Sequence, residues 1–457
     1  MAGDRLRERV LPAPPRRARH GDQVGMASAV FRRPLMGGTM RAMDETARYP
    51  IRTATPETVR AFLAPLVIAF AEDLTDAEFE DWRHTLEPDR LVAAFDGEIP
   101  VGTAAAFTFR LTVPGGEVAA AGITAVGVEP GHRRQGVLRS LMRQQHDDVR
   151  ERGEPVAVLW ASESAIYQRF GYGLGTLNGS FEIDRGRTAW LRPGEPEGRL
   201  RLVGEAEALA TFPPVYEQMR AVTPGALTRS EDWWRWGILR DAEYSRRGAS
   251  PKFRYLYEVD GAAEGYAIHR VKTDWDDRGP KGQLLVVEAM ALTPRAERAV
   301  WSFLFGVDLI RTTKAGRVPV PHPLLLELAD PRALGITTGD GLWVRLVDLP
   351  AALTARRYGT AGSLVLDVAD AFCPWNAGRW RLVATGEAGS ATAVVERTDA
   401  PADLSLDVAD LAAAYLGAFR LSDLARAGRV EERTAGALRQ ADALFASDRA
   451  PWCATMF

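Results

Sequence analysis

Cysteine is scarce in this 457-residue chain: Cys373 and Cys453 are the only two, too few for a disulfide scaffold or a thiolate metal centre. The six histidines (His20, His84, His132, His146, His269 and His322) show no ligand-like spacing, so no metal site is expected. No stretch reaches the ~18 consecutive apolar residues of a membrane-spanning helix. A Walker A loop is excluded because Gly-Lys-Ser/Thr occurs nowhere, and the Gly-x-Gly-x-x-Gly spacing of a dinucleotide fold is absent from the strand-turn-helix around Gly136.

Apolar periodicity is also missing from residues 1–43, which mix Arg, Pro and Gly and cannot bury enough surface to offset their chain entropy. A disordered Arg-rich extension is therefore expected over 1–48. No apolar segment follows Arg16-Arg17 or Arg32-Arg33, so neither is read as part of a secretory leader, while Met26, Met36, Met40 and Met43 offer alternative starts. The net charge of −3 conceals a split. The first 43 residues hold nine arginines and three acids, leaving 48 basic and 57 acidic residues, near −9, for the rest. Such a body disfavours nucleic acid and mildly favours cationic ligands.

What is present is the composition of a globular protein, 46 % hydrophobic and 26 % charged, with length for two or three domains. Thr55-Pro56-Glu57 reads as a helix cap and start, followed by Val59, Phe62, Leu63, Leu66 and Phe70 at helical spacing. Strands at 91–95 and 101–111 flank an Asp96-Gly97 turn. A strand at 122–128, a turn, a helix at 136–150 and a buried strand at 155–160 complete a mixed α/β layer. Beyond a linker at 192–199 the order recurs: strands at 254–259 and 265–271 around Asp260-Gly261, a strand at 284–292, then Pro294 and a helix at 296–305. This reads as a duplication. With Pro130 set against Pro294, the second copy has Glu297 for Arg133 and Val300 for Gly136. Strands at 363–368, 380–384 and 392–395 and helices at 409–416 and 432–445 make a third, α+β segment. Domains are thus expected at 49–190, 191–345 and 346–457.

The chemistry concentrates between Val126 and Tyr172. Val126-Gly127-Val128 leads through Pro130 and Arg133-Arg134-Gln135-Gly136-Val137-Leu138-Arg139 into a helix. Free N–H groups at such a turn, with the helix dipole, form an anion site. Gly136 admits close approach of a pyrophosphate, and Arg133, Arg134 and Arg139 add charge. The stretch resembles the Arg-x-x-Gly-x-Gly/Ala motif of GNAT acetyltransferases, with Leu138 at the last position. Further on, residues 159–173, Leu-Trp-Ala-Ser-Glu-Ser-Ala-Ile-Tyr-Gln-Arg-Phe-Gly-Tyr-Gly, closely resemble the signature of the Eis (enhanced intracellular survival) acetyltransferases. The likeness continues through Arg110–Gly115, Asp340-Gly341-Leu342-Trp343, Pro350-Ala351-Ala352-Leu353 and Ala443–Asp448, covering residues ~50–457.

The resemblance implies two tandem GNAT-like domains, the first binding acetyl-CoA, and a sterol-carrier-protein-like α+β domain, in a cytoplasmic homohexamer that acetylates primary amines such as lysine side chains, polyamines or aminoglycosides. It implies that Val126, Gly127 and Val128 hold the acetyl carbonyl and pantetheine. Arg134, Gln135, Gly136, Val137, Leu138 and Arg139 would cradle the pyrophosphate, and Ser162 and Glu163 would line the coenzyme. Tyr167 would be the general acid, and the α-carboxylate of Phe457, where the sequence ends, the base. Glu72 and Trp82 would face the amine, or else serve as a helix-face acid and a core tryptophan. Trp233-Trp234-Arg235-Trp236 reads as core or pocket wall, and His132 and His146 as surface residues. No metal and no nucleic-acid partner are expected. Two rivals stand: a lipid or sterol carrier, and an acetyl-CoA sensor without turnover.

Overall fold

The computed structural model describes residues 48–192, 194 and 197–457; the extension expected over 1–48 lies, Arg48 apart, outside them. The body opens with β1 (Ile51–Thr53), and the apolar series after it forms two short helices rather than one, α1 (Val59–Phe62) and α2 (Ala64–Phe70). Thr55 does not cap them. Its hydroxyl donates to Glu57, and its carbonyl takes the Thr58 and Val59 N–H groups in a turn. Pro65 in the first turn of α2 lacks the N–H that would continue the ladder from α1. Next, α3 (Asp76–Trp82) starts on a capping box between Thr75 and Glu78.

The hairpin around Asp96-Gly97 pairs β2 (Val92–Asp96) with β3 (Ile99–Val113), and β4 (Gly116–Val128) returns along β3 from Val113 to Gly102, starting six residues earlier than the apolar run suggests. After α4 (Val137–Glu151), β5 (Val156–Trp160) lies parallel to β4. The chain then makes β6 (Gly173–Leu174) and crosses to a second sheet as β7 (Leu177–Asp184). Next come β8 (Arg199–Leu202), α5 (Glu205–Arg220), the hairpin β9 (Phe253–Val259) and β10 (Ala262–Lys272), and a separate two-stranded ribbon, β11 (Trp275–Asp276) with β12 (Gly279–Pro280). There follow β13 (Gly282–Ala291), α6 (Pro294–Gly306), β14 (Ile310–Val318), α7 (Leu324–Glu327) and β15 (Thr337–Asp340). Finally β16 (Leu342–Leu346) returns to the first sheet.

The strand orders are β1-β2-β3-β4-β5-β16-β6 and β15-β7-β14-β13-β10-β9-β8. Each sheet therefore borrows a strand from the far side of the other. The boundaries expected at 190/191 and 345/346 do not coincide with the sheet limits, because hydrophobic alternation marks a strand without saying which sheet takes it.

The third segment comprises α8 (Leu349–Ala355), β17 (Gly362–Ala369), β18 (Gly378–Thr385), β19 (Thr392–Arg397), β20 (Leu404–Asp407), α9 (Val408–Tyr415), α10 (Leu421–Arg426), β21 (Val430–Glu432) and α11 (Ala437–Phe445). Its sheet runs β19-β18-β17-β20-β21. The helix expected from 432 starts only at 437, since Val430–Glu432 pair with β20 instead. This segment docks onto the first sheet through α9, so closely that a Cβ on Gly173 would overlap the Ala409 carbonyl. A buried ion pair, Arg345 to Asp370 at 2.5 Å, sits beside that contact. One apolar cluster runs from Phe62, Phe107 and Phe109 to Leu366, Leu411 and Phe445. Residues 446–457 form no helix or strand and bring the chain back between the two larger sheets.

Candidate active site

Parallel pairing of β4 with β5 lasts only from Ala120 to Gly122, opposite Val156 to Val158; the strands then part into a wedge. On its β4 side the register against β3 slips between Thr103 and Ala105, so β4 carries an extra residue, and Ala125 takes φ 50°. A bulge of this kind frees backbone groups from the ladder and re-aims them, here at Ala125 and Val126, while Gly127 and Val128 stay paired with β3 and have no β5 partner. Gly127 itself packs against α2, where an added Cβ would stand 3.0 Å from Cα of Leu66.

The wedge ends at the start of α4. Arg134 (φ 62°) and Gly136 (φ 88°) are both left-handed, and Gly136 is an N-cap with no side-chain acceptor. No acidic residue stands in the first turn. The amides there are left to a ligand, where the helix dipole favours an anion. Arg133, Arg134 and Arg139 are exposed, and none forms an ion pair with a described residue. Val137 and Leu138 turn their side chains to apolar clusters and offer only backbone. The Gln135 side chain braces the loop, donating to the Gly131 carbonyl (3.1 Å) and accepting from Tyr49 (2.8 Å). The residues thus fit a diphosphate.

Ser162 and Glu163 are exposed just past the end of β5, and Tyr167 follows in a tight turn, 5 % exposed, its ring edge-on to Tyr172. Tyr167 belongs to the apolar cluster against which Val126 and Leu138 also pack. Burial, and then the Glu163 carboxylate, raise its phenol above the usual range. The protonated form therefore prevails at neutral pH.

His132 lies at the rim between Asp96 and Glu129, whose hydrogen bonds raise its pKa although burial opposes its charge. His146 is not the surface residue expected. It is fully buried on the inner face of α4, 3.1 Å from the Tyr172 hydroxyl, and burial holds it neutral. An isolated polar residue among apolar positions gives no sequence sign of facing inward.

On the other side of the wedge is a cavity of about 410 Å3, and it gathers Glu72, Trp82 and Phe457. Asp73, Glu78 and Asp81 also line it, and among the described residues no basic one does. Glu72 and Asp73 are exposed and without ion pairs among the described residues. Asp81 is held by Arg240 (2.9 Å) and by Tyr244 (2.9 Å), whose own phenol is pushed up to about 12 by burial and that carboxylate. The tryptophan run divides: Trp234 is core, whereas Trp233 and Trp236 form cavity wall, Trp236 stacked 3.9 Å from His84. Such a lining, acidic and aromatic, suits a cation.

Phe457 packs its ring against Phe109 (5.2 Å) and Phe107 (6.2 Å). A Cβ on Gly122 would come within 3.1 Å of that ring, so the last residue reaches the apex of the wedge. The approach is held by residues that carry no sequence signal of their own. Trp160 donates to the Thr455 carbonyl (2.9 Å), and the Thr455 hydroxyl is bonded by Arg229 (2.9 Å) and Tyr216 (3.0 Å). Arg229 is in turn paired two-fold with Glu288. Cys453, buried with its thiol pushed up to about 12, is no nucleophile.

Residues 50–175 and 225–346 each match an acetyltransferase (GNAT) domain, and residues 349–454 match a sterol carrier protein domain. An uncharacterized N-acetyltransferase of Streptomyces avermitilis is 46 % identical over 377 residues, 82 % of this chain and 91 % of the relative. N-acetyltransferase Eis of Mycobacterium tuberculosis (strain H37Ra) is 36 % identical over 382 residues, 80 % and 89 % respectively. The crystal structure of Eis1 from Mycobacterium abscessus aligns with a TM-score of 0.75 at 33 % identity, covering 89 % of this chain and all of that one. The wedge, its diphosphate-ready turn and these matches agree, and the chain belongs to the Eis family of GNAT N-acetyltransferases.

Proposed function

We propose that the protein transfers the acetyl group of acetyl-CoA directly to a primary amine such as a lysine side chain, a polyamine or an aminoglycoside. The observation that carries this reading is the two-sided wedge: on one side amides without a side-chain cap and arginines without ion pairs among the described residues, on the other an acid-lined cavity with Phe457. The two substrates meet where β4 and β5 part.

The coenzyme's diphosphate lies on the first-turn amides of α4, from Gly136 to Arg139, with Arg134 and Arg139 beside it. Gln135 shapes that loop, and Ser162 and Glu163 edge the site. The backbone of Val126–Val128 holds the pantetheine arm and the acetyl carbonyl. Glu72 and Trp82 receive the amine as its ammonium ion. An alkylamine of pKa ~10.4 must shed a proton before it attacks, at about 4–5 kcal/mol at pH 7. The Phe457 α-carboxylate takes that proton, directly or through a water. The freed nitrogen forms a C–N bond to the carbonyl carbon, the tetrahedral oxyanion is stabilised by backbone N–H groups, and the C–S bond breaks. The nitrogen, cationic after attack, releases its second proton to solvent, and Tyr167, itself reprotonated from solvent, gives its hydrogen to the departing sulfur. In water that last transfer is uphill by about 2 kcal/mol, phenol ~10 against thiol ~8.5. Burial that raises the phenol raises the basicity of a thiolate beside it as well.

The same placement argues against a carrier whose GNAT parts are vestigial, since the diphosphate turn is intact. Domains at 49–190, 191–345 and 346–457, a homohexamer and a cytoplasmic setting complete the proposal; light scattering should give six times the 50.0 kDa of the chain. Free thiol released from acetyl-CoA across a panel of lysine peptides, polyamines and aminoglycosides tests the reaction. Release with at least one amine class is expected. Coenzyme binding without release from any of them would leave the sensor reading in its place.

A further inference from the structure

The second sheet keeps a wedge of its own. Strands β13 and β14 run parallel from Gly282 to Val286, opposite Ile310 to Ala315, and then diverge, as β4 and β5 do after Gly122. The opening is a cavity of about 410 Å3 whose walls include Met290, Trp301, Val318 and, from the C-terminal segment, Trp452. A diphosphate cannot use it. The N-cap of α6, Thr293, already takes the Ala296 N–H with its own side chain, and Glu297 stands in the first turn.

The polar groups that face the space mostly offer hydrogen or positive charge. His322 is 2 % exposed, and its Nδ1 accepts the Leu324 N–H at 3.2 Å. The neutral ring therefore carries its hydrogen on Nε2, which stands 3.9 Å from Oε1 of Glu297 and has no hydrogen-bond partner among the described residues. Burial pushes this imidazole down to about 4. Glu297 accepts from the Trp301 indole at 2.9 Å and retains 23 % side-chain exposure, into the cavity it lines. Burial, with the Glu327 charge behind it, pushes its carboxyl up to about 7, so that at neutral pH about half of it, and below that most of it, is an acid that can donate. The other acid on the wall, Glu288, is already engaged by Arg229 and Tyr266. Arg317 and Arg449 line the mouth, exposed and without ion pairs among the described residues. Arg317 is moreover held at φ 51°, at a register slip in β14, the kind of local strain that concentrates at ligand sites.

We propose that this second wedge binds an apolar monocarboxylate: its head accepts from His322 Nε2 and the Glu297 acid in the field of Arg317 and Arg449, and its body lies along Met290, Trp301 and Val318. An amine head would meet a donor at His322 and two cations at the entrance. A neutral amide would forgo the charge of the arginines.

Isothermal titration of the full chain, saturated with coenzyme A, against sodium octanoate, octanamide and octylamine tests this. One saturable octanoate site is expected, with affinity about tenfold weaker at pH 8 than at pH 6, because the Glu297 acid ionises between them. The groups that face that acid are His322, whose imidazole burial holds at about 4, the Trp301 indole, Glu327 and Arg298. Glu297→Gln keeps a donor without the ionisation, so octanoate should still bind and the ratio between the two pH values should fall within twofold. His322→Leu should weaken binding at least tenfold at both. That arm locates the site here rather than in the first wedge or the third domain, whatever coenzyme A does. Should the leucine variant fold poorly, the Glu297→Gln pH ratio decides alone. Absence of saturable octanoate binding, tighter binding of octylamine, equal binding of octanamide, or octanoate affinity indifferent to both substitutions would each overturn the proposal.

Discussion

Adding a single glycine after Phe457 isolates the role of its carboxylate. The addition converts that group to an amide and moves the nearest carboxylate out by one residue, ~3.8 Å between Cα atoms, beyond hydrogen-bond reach of a nitrogen poised at the wedge. The anchors of the segment all precede or surround Phe457: Trp160 and Arg229 hold Thr455, and Phe107 and Phe109 hold the ring. The new residue has the cavity of about 410 Å3 to enter, so folding and coenzyme binding should survive. A positioned base contributes about 10²–10⁴ in rate, and kcat should fall at least a hundredfold while coenzyme A affinity stays within twofold. The residual rate should also climb with pH. An amine of pKa ~10.4 is free in roughly one molecule in 2,500 at pH 7, and that fraction grows about tenfold per pH unit. The extended chain should therefore follow a slope near one toward pH 10, with a shallower profile for the unextended one. Phe457→Leu keeps the carboxylate and changes only the ring, and should cost less than tenfold. A kcat within threefold of the original after extension, at unchanged thermal stability, would remove the carboxylate from the mechanism.

Tyr167→Phe keeps the buried ring and deletes the proton donor, so kcat should drop about 10²–10⁴-fold with coenzyme affinity nearly unchanged; equal turnover would make the hydroxyl structural. Glu72→Gln should raise KM for a cationic amine about two- to fivefold, the scale of an exposed ion pair, and leave kcat alone. Replacing Arg229 and Glu288 together by leucine should leave the melting temperature close to the original, because buried ion pairs add little net stability, yet slow turnover at least tenfold by freeing Thr455. Arg229→Leu alone should destabilise by about 3–5 kcal/mol, since it strands a buried carboxylate; a melting curve within 2 °C of the original would contradict that.

Much of the first site could be read from the chain because its parts are local. The turn from Arg133 to Gly136, the helix after it and the run through Tyr167 each depend on neighbours in sequence, and the duplication with its missing glycine exposed the altered second copy. The cavity was legible only through Glu72, Trp82 and the tryptophan run, whose division between core and wall depends on which face meets β3. What stayed hidden is long-range. Nothing in residues 342–346 says that they pair with residues 156–160, and nothing in Arg229, Glu288 or Thr455 announces that three distant segments converge. His146 was misplaced for the same reason: burial of a polar side chain needs partners, here Tyr172 and Cys373, contributed by segments far along the chain.

That convergence gives the second sheet a task that its lost diphosphate turn no longer suggests. Residues 451–457 have no helix or strand to fix them, and ordering seven backbone residues costs about 7–14 kcal/mol at ~1–2 kcal/mol each. The offsetting contacts come from both sides. The first sheet supplies Trp160, Phe107 and Phe109, whereas the other side supplies the Pro224 carbonyl for the Trp452 N–H, the Arg317 carbonyl for the Trp452 indole, and Arg229 backed by Glu288 for Thr455. Arg229 is wholly buried, with its side chain 0 % exposed and that of Glu288 8 %. A pair so placed gains little for stability against two apolar residues of similar size, but its fixed fork gives Thr455 one position rather than several. A carboxylate that must meet a nitrogen within a fraction of an ångström needs that kind of support. On the proposed mechanism the second sheet acts on the chemistry of the first by holding the end of the chain to it.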